Sequence, residues 1–301
     1  MPPPTVATPT TAPSRPAPPA PTPAPTTAFA IVDSDLLELD ATTGATRRTI
    51  VELFEGDGVF RGNLVLTRDR GSAYYSEGYE DSWFDCGSSV GSVGRVDLTT
   101  GATETIAAGW SPSLSPSGDR LAYLTSSLCL PDPEQPDIWV LTPADRVVVL
   151  DLATSARIEI TTATSPSAYD DPAALDWVRF HPNGDLLVAT ANGNVHRVAS
   201  DAPTTAQNGP VVARGVLMFP VAAYERTLVV LQIGDEGATT VAEIELGSGA
   251  TSTLWESELF VVAAGDPAGH VLVIDSDALE NVNDGDLTVL ALDQFVTDVA
   301  W

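Results

Sequence analysis

The apolar positions of this chain fall into short continuous runs, each closed by a polar turn. Val147-Val148-Val149-Leu150, Leu228-Val229-Val230-Leu231 and Val271-Leu272-Val273-Ile274 are the clearest. Runs of this length, rich in β-branched residues and bounded by Gly, Pro, Asp and Ser, predict strands covered on both faces. No stretch has the spacing of an amphipathic helix, so the sequence predicts a nearly all-β fold.

Two kinds of strand–turn–strand segment alternate along the chain. The first is WSPSLSPSGDRLAYLTSS, residues 110–127, in which Ser115-Pro116-Ser117-Gly118-Asp119 supplies a tight turn. RFHPNGDLLVATAN repeats it from Arg179; GDPAGHVLVIDSD and TRDRGSAYYSEGY are weaker copies. The second has an apolar strand, a turn of the D-x-x-T-G type and a short strand: LLELDATTGATRRTI, GRVDLTTGATETI, VVVLDLATSARIEI and VAEIELGSGATSTL. Together they make a four-stranded unit that recurs about every 40–50 residues, the period of a β-propeller blade. The pattern resembles the WD-repeat-like propeller repeats of the TolB family and of many secreted bacterial proteins. That resemblance covers residues 29–301 and implies a propeller. It does not imply one activity, because propellers host many.

Six blades are expected, with strands A to D running from axis to rim. The N-terminal blade supplies B (residues 29–33), C (36–40) and D (45–53). The others fall at about 58–108, 110–162, 174–214, 216–256 and 259–293. QFVTDVAW, residues 294–301, reads as the missing innermost strand of the first blade, so N- and C-terminal strands close the ring and remove sheet edges. The sixth blade is then left without a clear D strand.

Residues 1–28 are almost entirely Pro, Thr and Ala. Such a tract cannot bury a core and is expected to be disordered and extended, about 80 Å long at ~3.1 Å per residue in polyproline geometry. It resembles the extracytoplasmic stalks of actinobacterial surface proteins. It lacks the basic and apolar regions of a signal peptide, so an export signal or anchor is expected upstream of Met1 and the propeller is expected outside the cytoplasm. The domain division is therefore 1–28, stalk, and 29–301, propeller.

Charge narrows the partners. The chain carries 41 acidic and 14 basic residues, a net −27, and every basic residue is arginine. Nucleic acid is excluded as a partner by repulsion. No apolar run approaches the roughly 18 residues needed to span a membrane, so direct insertion is not expected. Cationic partners are favoured.

Candidate chemistry lies in the B–C and D–A connections, which share one face and carry the length. The second blade's B–C loop holds Tyr79, Glu80, Asp81, Trp83, Phe84 and Asp85; the third blade's holds Asp132 and Glu134. Tyr169, Asp170 and Asp171 follow in the next D–A loop. Aromatic rings among carboxylates suit cation–π and hydrophobic contact with a protein, peptide or glycan. Cys86 and Cys129 fall in the B–C connections of neighbouring blades and are expected to form a disulfide; two cysteines are too few for a structural zinc site. The oxygen-rich segment 280–286 lacks the spacing of an EF-hand and reads as surface turn. GWSPS begins like a nucleophile elbow but starts a strand. His181, His196 and His270 read as turn or packing residues. Neither catalytic residues nor a metal or other cofactor is expected, and the reading is a non-enzymatic binding module. Two rivals stand beside it: a hydrolase resembling the six-bladed lactonases, which hold a divalent metal on the axis, and the sensor domain of a membrane receptor.

Overall fold

The structure is a computed structural model. It describes residues 22–301 apart from 57–58, 80–90, 127–128, 132–138, 142–143, 165, 167–170, 215–218, 234–237, 259–260, 276–277, 279–280, 285, 293 and 295. The side chains of residues 79, 129–131, 139–141, 283 and 284 also lie outside the description.

Six sheets stand around an axis as the blades of a β-propeller. The innermost strands, in blade order, are Val296–Ala300, Val59–Leu66, Trp110–Leu114, Leu175–Phe180, Phe219–Ala223 and Val262–Gly265. The B strands are Thr27–Val32, Ser72–Tyr79, Arg120–Thr125, Leu186–Thr190, Thr227–Ile233 and Val271–Asp275. The C strands are Asp35–Asp40, Ser92–Asp97, Arg146–Asp151, Val195–Val198, Thr239–Glu245 and Leu287–Ala291. The D strands are Thr46–Val51, Thr103–Ala108, Arg157–Thr161, Val211–Ala213, Thr251–Ser257 and Val282–Asp284. Each inner strand touches the next around the ring, and that of blade 6 touches that of blade 1.

Closure follows the pattern read from the sequence. Val296–Ala300 pairs antiparallel with Thr27–Val32, with Phe29 opposite Ala300 and Ala30 opposite Val299. Val296, Val299 and Trp301 are buried; Phe295 lies outside the described residues. The first strand takes in Thr27 and Ala28, and Ala28 is fully buried. Ala24 packs against the same cluster. Ordered structure therefore starts ahead of Phe29.

The two turn types have distinct chemistry. At A–B turns a side chain caps the hairpin: Ser115 Oγ accepts Arg120 N–H at 3.0 Å and donates to Asp119 Oδ1 at 2.8 Å, while Gly118 takes φ +77. Thr67 and Asp69 repeat the arrangement in blade 2. At C–D turns an aspartate does the work. Oδ1 of Asp40, Asp97 and Asp151 accepts the amides two and three residues on. The chain then reverses through Gly44, Gly101 and Ser155, all at positive φ.

The core is divided. One apolar cluster fills each gap between adjacent blades, six in all, from blades 1–2 to blades 6–1. Sheets covered on both faces need continuous apolar strands, which is why Val147 to Leu150 is buried at every position.

Two features depart from the expected layout. In blade 6 the rim strand Val282–Asp284 comes before the C strand, which runs parallel to its B strand instead of antiparallel. The segment read as surface turn thus provides the D strand that the blade was expected to lack. In blade 4 the C–D connection reaches back to blade 3, where Thr204–Thr205 adds a fifth strand parallel to Arg157–Thr161. A 3-10 turn, Ala206–Asn208, follows with Ala206 buried. No helix among the described residues is long and apolar enough to cross a membrane.

Candidate functional site

Inner strands of a propeller converge on the axis, so their side chains decide what the centre holds. Here they are irregular at matching places. The ladder to the B strand breaks between Gly62 and Val65, Trp110 and Ser113, Leu175 and Trp177, and Pro220 and Ala222. In blade 1 the pairing skips Thr297. Asn63 and Ser111 sit at φ +55 and +53 within these breaks. A bulge bends the strand and re-aims its side chains, and bulges of this kind concentrate at barrel rims and binding sites.

These strands enclose an axial cavity of about 830 Å³. Phe219 and Ile233 line it at the end where B–C loops leave, and they are 59% and 47% exposed. Pro116, Pro182 and Pro267, in A–B turns, line it at the other end. Exposed large apolar side chains at the mouth of a concave site are the usual sign of a binding surface.

Two ionisable side chains on opposite blades define the polar part. Arg179, in blade 4, donates from Nη2 to the Pro220 carbonyl at 3.0 Å and from Nη1 to the Pro112 carbonyl at 3.4 Å. Both carbonyls lie at strand irregularities of the neighbouring blades. Its Nε is buried without a partner, and burial lowers its pKa while the Asp298 charge opposes that shift. Asp298, in blade 1, accepts Leu64 N–H at 2.6 Å on Oδ2 and its neighbour's amide, Val299 N–H, at 2.8 Å on Oδ1. Burial pushes its carboxyl up to about 6 against the pull of those amides and of Arg179, with Glu55 adding to the rise. Both residues keep partial exposure and both line the cavity, so water reaches them along the axis.

A second polar group lies beside Asp298. Glu55 is buried; its Oε1 accepts Arg61 N–H and its Oε2 accepts the Thr297 hydroxyl, both at 3.0 Å. Arg61 pairs with Glu77 at 2.7 Å, donates to the Phe54 carbonyl and stacks over the Phe54 ring at 4.7 Å. The whole set is internally satisfied apart from Arg179 Nε. The histidines are elsewhere: His181 bonds Asn183 and the Glu225 carbonyl, His270 pairs with Asp266, and His196 meets the Gly209 carbonyl.

The surroundings of the axial carboxylates do not favour a divalent cation. Both Asp298 oxygens already take backbone amides, and a guanidinium on the opposite strand opposes added positive charge. Among the described residues no three of His, Cys, Asp and Glu converge.

Of the residues singled out in the sequence, Glu80, Asp81, Trp83, Phe84, Asp85, Cys86, Asp132, Glu134, Tyr169 and Asp170 lie outside the described residues. Tyr79 ends the second blade's B strand, its backbone opposite Val59. Cys129 opens a two-stranded ribbon with its backbone opposite Leu141. Asp171 is partly buried and holds a turn, its Oδ1 accepting Ala173 N–H at 2.9 Å. Sequence reasoning missed Arg179 and Asp298. Their signal is a charge inside an otherwise apolar inner strand, in the stretches WVRF and FVTDVAW.

No protein-family model and no curated protein sequence matches the chain. Solved structures do. TolB from Acinetobacter baumannii superposes with a TM-score of 0.50 at 14% identity, over 86% of this chain and 58% of its own. Regucalcin, a calcium-binding protein from Agrobacterium tumefaciens, gives 0.43 at 13% identity, over 74% of this chain and 66% of its own. A prolyl endopeptidase gives 0.43 at 16% identity, over 79% and 36%. The likeness to TolB is one of fold, and this chain spans little more than half of TolB's length.

Proposed function

We propose that this chain is a non-enzymatic binding propeller that works outside the cytoplasm and captures a protein, peptide or glycan, with a cationic group favoured, at the loop-side end of its axis. One observation carries the reading. The axial cavity opens between exposed Phe219 and Ile233 on the side where B–C connections leave, while the N-terminal tract joins at the opposite end, at Thr27. A tether at one face leaves the other free for a partner. The sequence pattern assigns to that free side the acidic, aromatic loops with Tyr79, Trp83, Asp85, Asp132, Glu134 and Tyr169. An aromatic ring beside carboxylates attracts a desolvated cation by about 0.5–2 kcal/mol per ring. The hydrolase reading is weaker because no three metal-ligating side chains converge among the described residues and the Arg179 charge acts on Asp298, against a cation on the axis.

The test is calorimetry of the full chain with Arg- and Lys-containing peptides, against neutral and acidic peptides and neutral glycans. Binding of the cationic peptides, weakened by Phe219→Ala, by Trp83→Ala and by salt, supports the reading. Turnover of lactones or phosphoesters that depends on Ca²⁺ and disappears in Asp298→Asn overturns it.

A further inference from the structure

The face opposite the loops carries a second concavity. It is a groove of about 780 Å³ between blades 2 and 3. Blade 2 contributes the A–B turn Thr67–Asp69, Arg95 and the D strand from Glu104 to Ile106; blade 3 contributes Ser117, Leu150 to Leu152, Ser155 and Arg157. Its floor is the apolar seam between the blades, where Tyr74 and Leu150 are buried. Arg68 stands on the ridge between this groove and the axial cavity, lining both.

What sets the groove apart is which charges are already committed. Most described arginines bond a carboxylate, a hydroxyl or a carbonyl. Arg68, Arg157, Arg214 and Arg226 have no side-chain hydrogen bond or ion pair among the described residues, and two of the four sit here. Arg95 uses Nη1 on Glu104 and Nη2 on Ser72, leaving a buried Nε without an acceptor. The groove's carboxylates are in the reverse condition. Asp69 accepts the Thr67 hydroxyl and Gly71 N–H. Asp151 accepts two amides and the Thr154 hydroxyl through one oxygen. These bonds hold both acids below the ordinary aspartate range, so they stay ionised.

We infer that this groove binds an acidic saccharide through a carboxylate. The free guanidiniums of Arg68 and Arg157 offer the planar fork that matches a carboxylate. Three arginines, Arg68, Arg95 and Arg157, and three carboxylates, Asp69, Glu104 and Asp151, line the groove, so its formal charge balances although the chain carries −27. A singly charged carboxylate meets less repulsion from ionised Asp69 and Asp151 than a phosphate dianion does. Those aspartates keep lone pairs for hydroxyl donors, which a sugar supplies and a simple anion does not.

The test uses the full chain in low salt and a tetrasaccharide of alternating hexuronate and neutral sugar, followed by calorimetry. The methyl-esterified tetrasaccharide, inorganic phosphate and a phosphoserine peptide are run beside it. Binding is expected to fall at least tenfold on esterification, and at least tenfold in Arg68→Gln/Arg157→Gln with the melting temperature unchanged. Arg214→Gln/Arg226→Gln, the same loss of two charges elsewhere, is expected to bind as the parent does. The inference is overturned by no binding of the saccharide, by equal binding of the ester, by an unaffected double variant, or by tighter binding of phosphate or the phosphopeptide.

Discussion

The indole Nε1 of Trp301 donates a hydrogen bond to the Pro25 carbonyl at 3.1 Å, fastening the end of the last inner strand to the chain just ahead of the first B strand. The same stretch of backbone accepts Ala41 N–H and an Arg47 guanidinium on the Thr26 carbonyl. Deleting residues 1–21 is therefore expected to leave the melting temperature unchanged, whereas deleting 1–26 lowers it by several degrees. Equal melting of the two truncations would show that Pro25 and Thr26 contribute nothing.

Trp301 is itself buried between the first and last blades. Trp301→Ala is expected to cost about 3–5 kcal/mol, the range for deleting a buried aromatic. Urea unfolding checks this, and a cost below ~1 kcal/mol would mean that the ring closes without it.

Asp298 gives a pH signature. Burial pushes its carboxyl up to about 6 in the folded chain, against 3.8 for an ordinary aspartate. Below the unfolded value both states hold the proton and the residue is neutral to stability. As pH rises toward 6 the unfolded chain releases the proton first, so the folded state loses stability through that window. The loss reaches roughly 3 kcal/mol at ~1.36 kcal/mol per unit. The wild-type protein should therefore lose stability relative to Asp298→Asn between about pH 4 and 6. A constant difference across that range would place the carboxyl at its ordinary pKa.

The Arg61 side chain serves one carboxylate, Glu77, and two rings. Truncating the side chain takes the guanidinium away from Glu77 and from the Phe54 and Tyr75 rings in half-buried ground, while the backbone N–H that Glu55 accepts remains. Arg61→Ala should cost about 3–5 kcal/mol, with part of that recovered in Arg61→Ala/Glu77→Gln. An additive double-mutant cycle would contradict the pairing.

Cys86 and Cys129 are proposed to be bridged. Denatured, unreduced protein should show no free thiol, and Cys86→Ser should lose at most about 4 kcal/mol for a loop of this length. Two titratable thiols would end the proposal.

The sequence made the propeller legible because its turns are chemical and local. Ser115 to Asp119 and Asp151 to Ser155 close hairpins with their own side chains, so the residues name the turn. Closure by residues 296–300 was readable for the same reason, since FVTDVAW has the form of the strand that precedes such a turn. Blade 6 was not, because Val282–Asp284 is a three-residue edge strand in an acid-rich stretch with no alternation. The Thr204–Thr205 strap was hidden because its partner strand lies in another blade. Arg179 and Asp298 depend on which strands face each other across the axis, a distance in space with no counterpart in spacing along the chain.

Ring closure also decides how the molecule carries load. The first strand, Thr27–Val32, lies between Val296–Ala300 and Asp35–Asp40 and is bonded to both. A pull on the N-terminal tract runs along that strand, at right angles to its hydrogen bonds. The two rows are then strained in shear and must yield together, where a strand peeled sideways would give up one bond at a time. The clasp that hides the sheet edges is also a mechanical anchor, strongest in the direction in which a tether and a captured partner on opposite faces would stretch it.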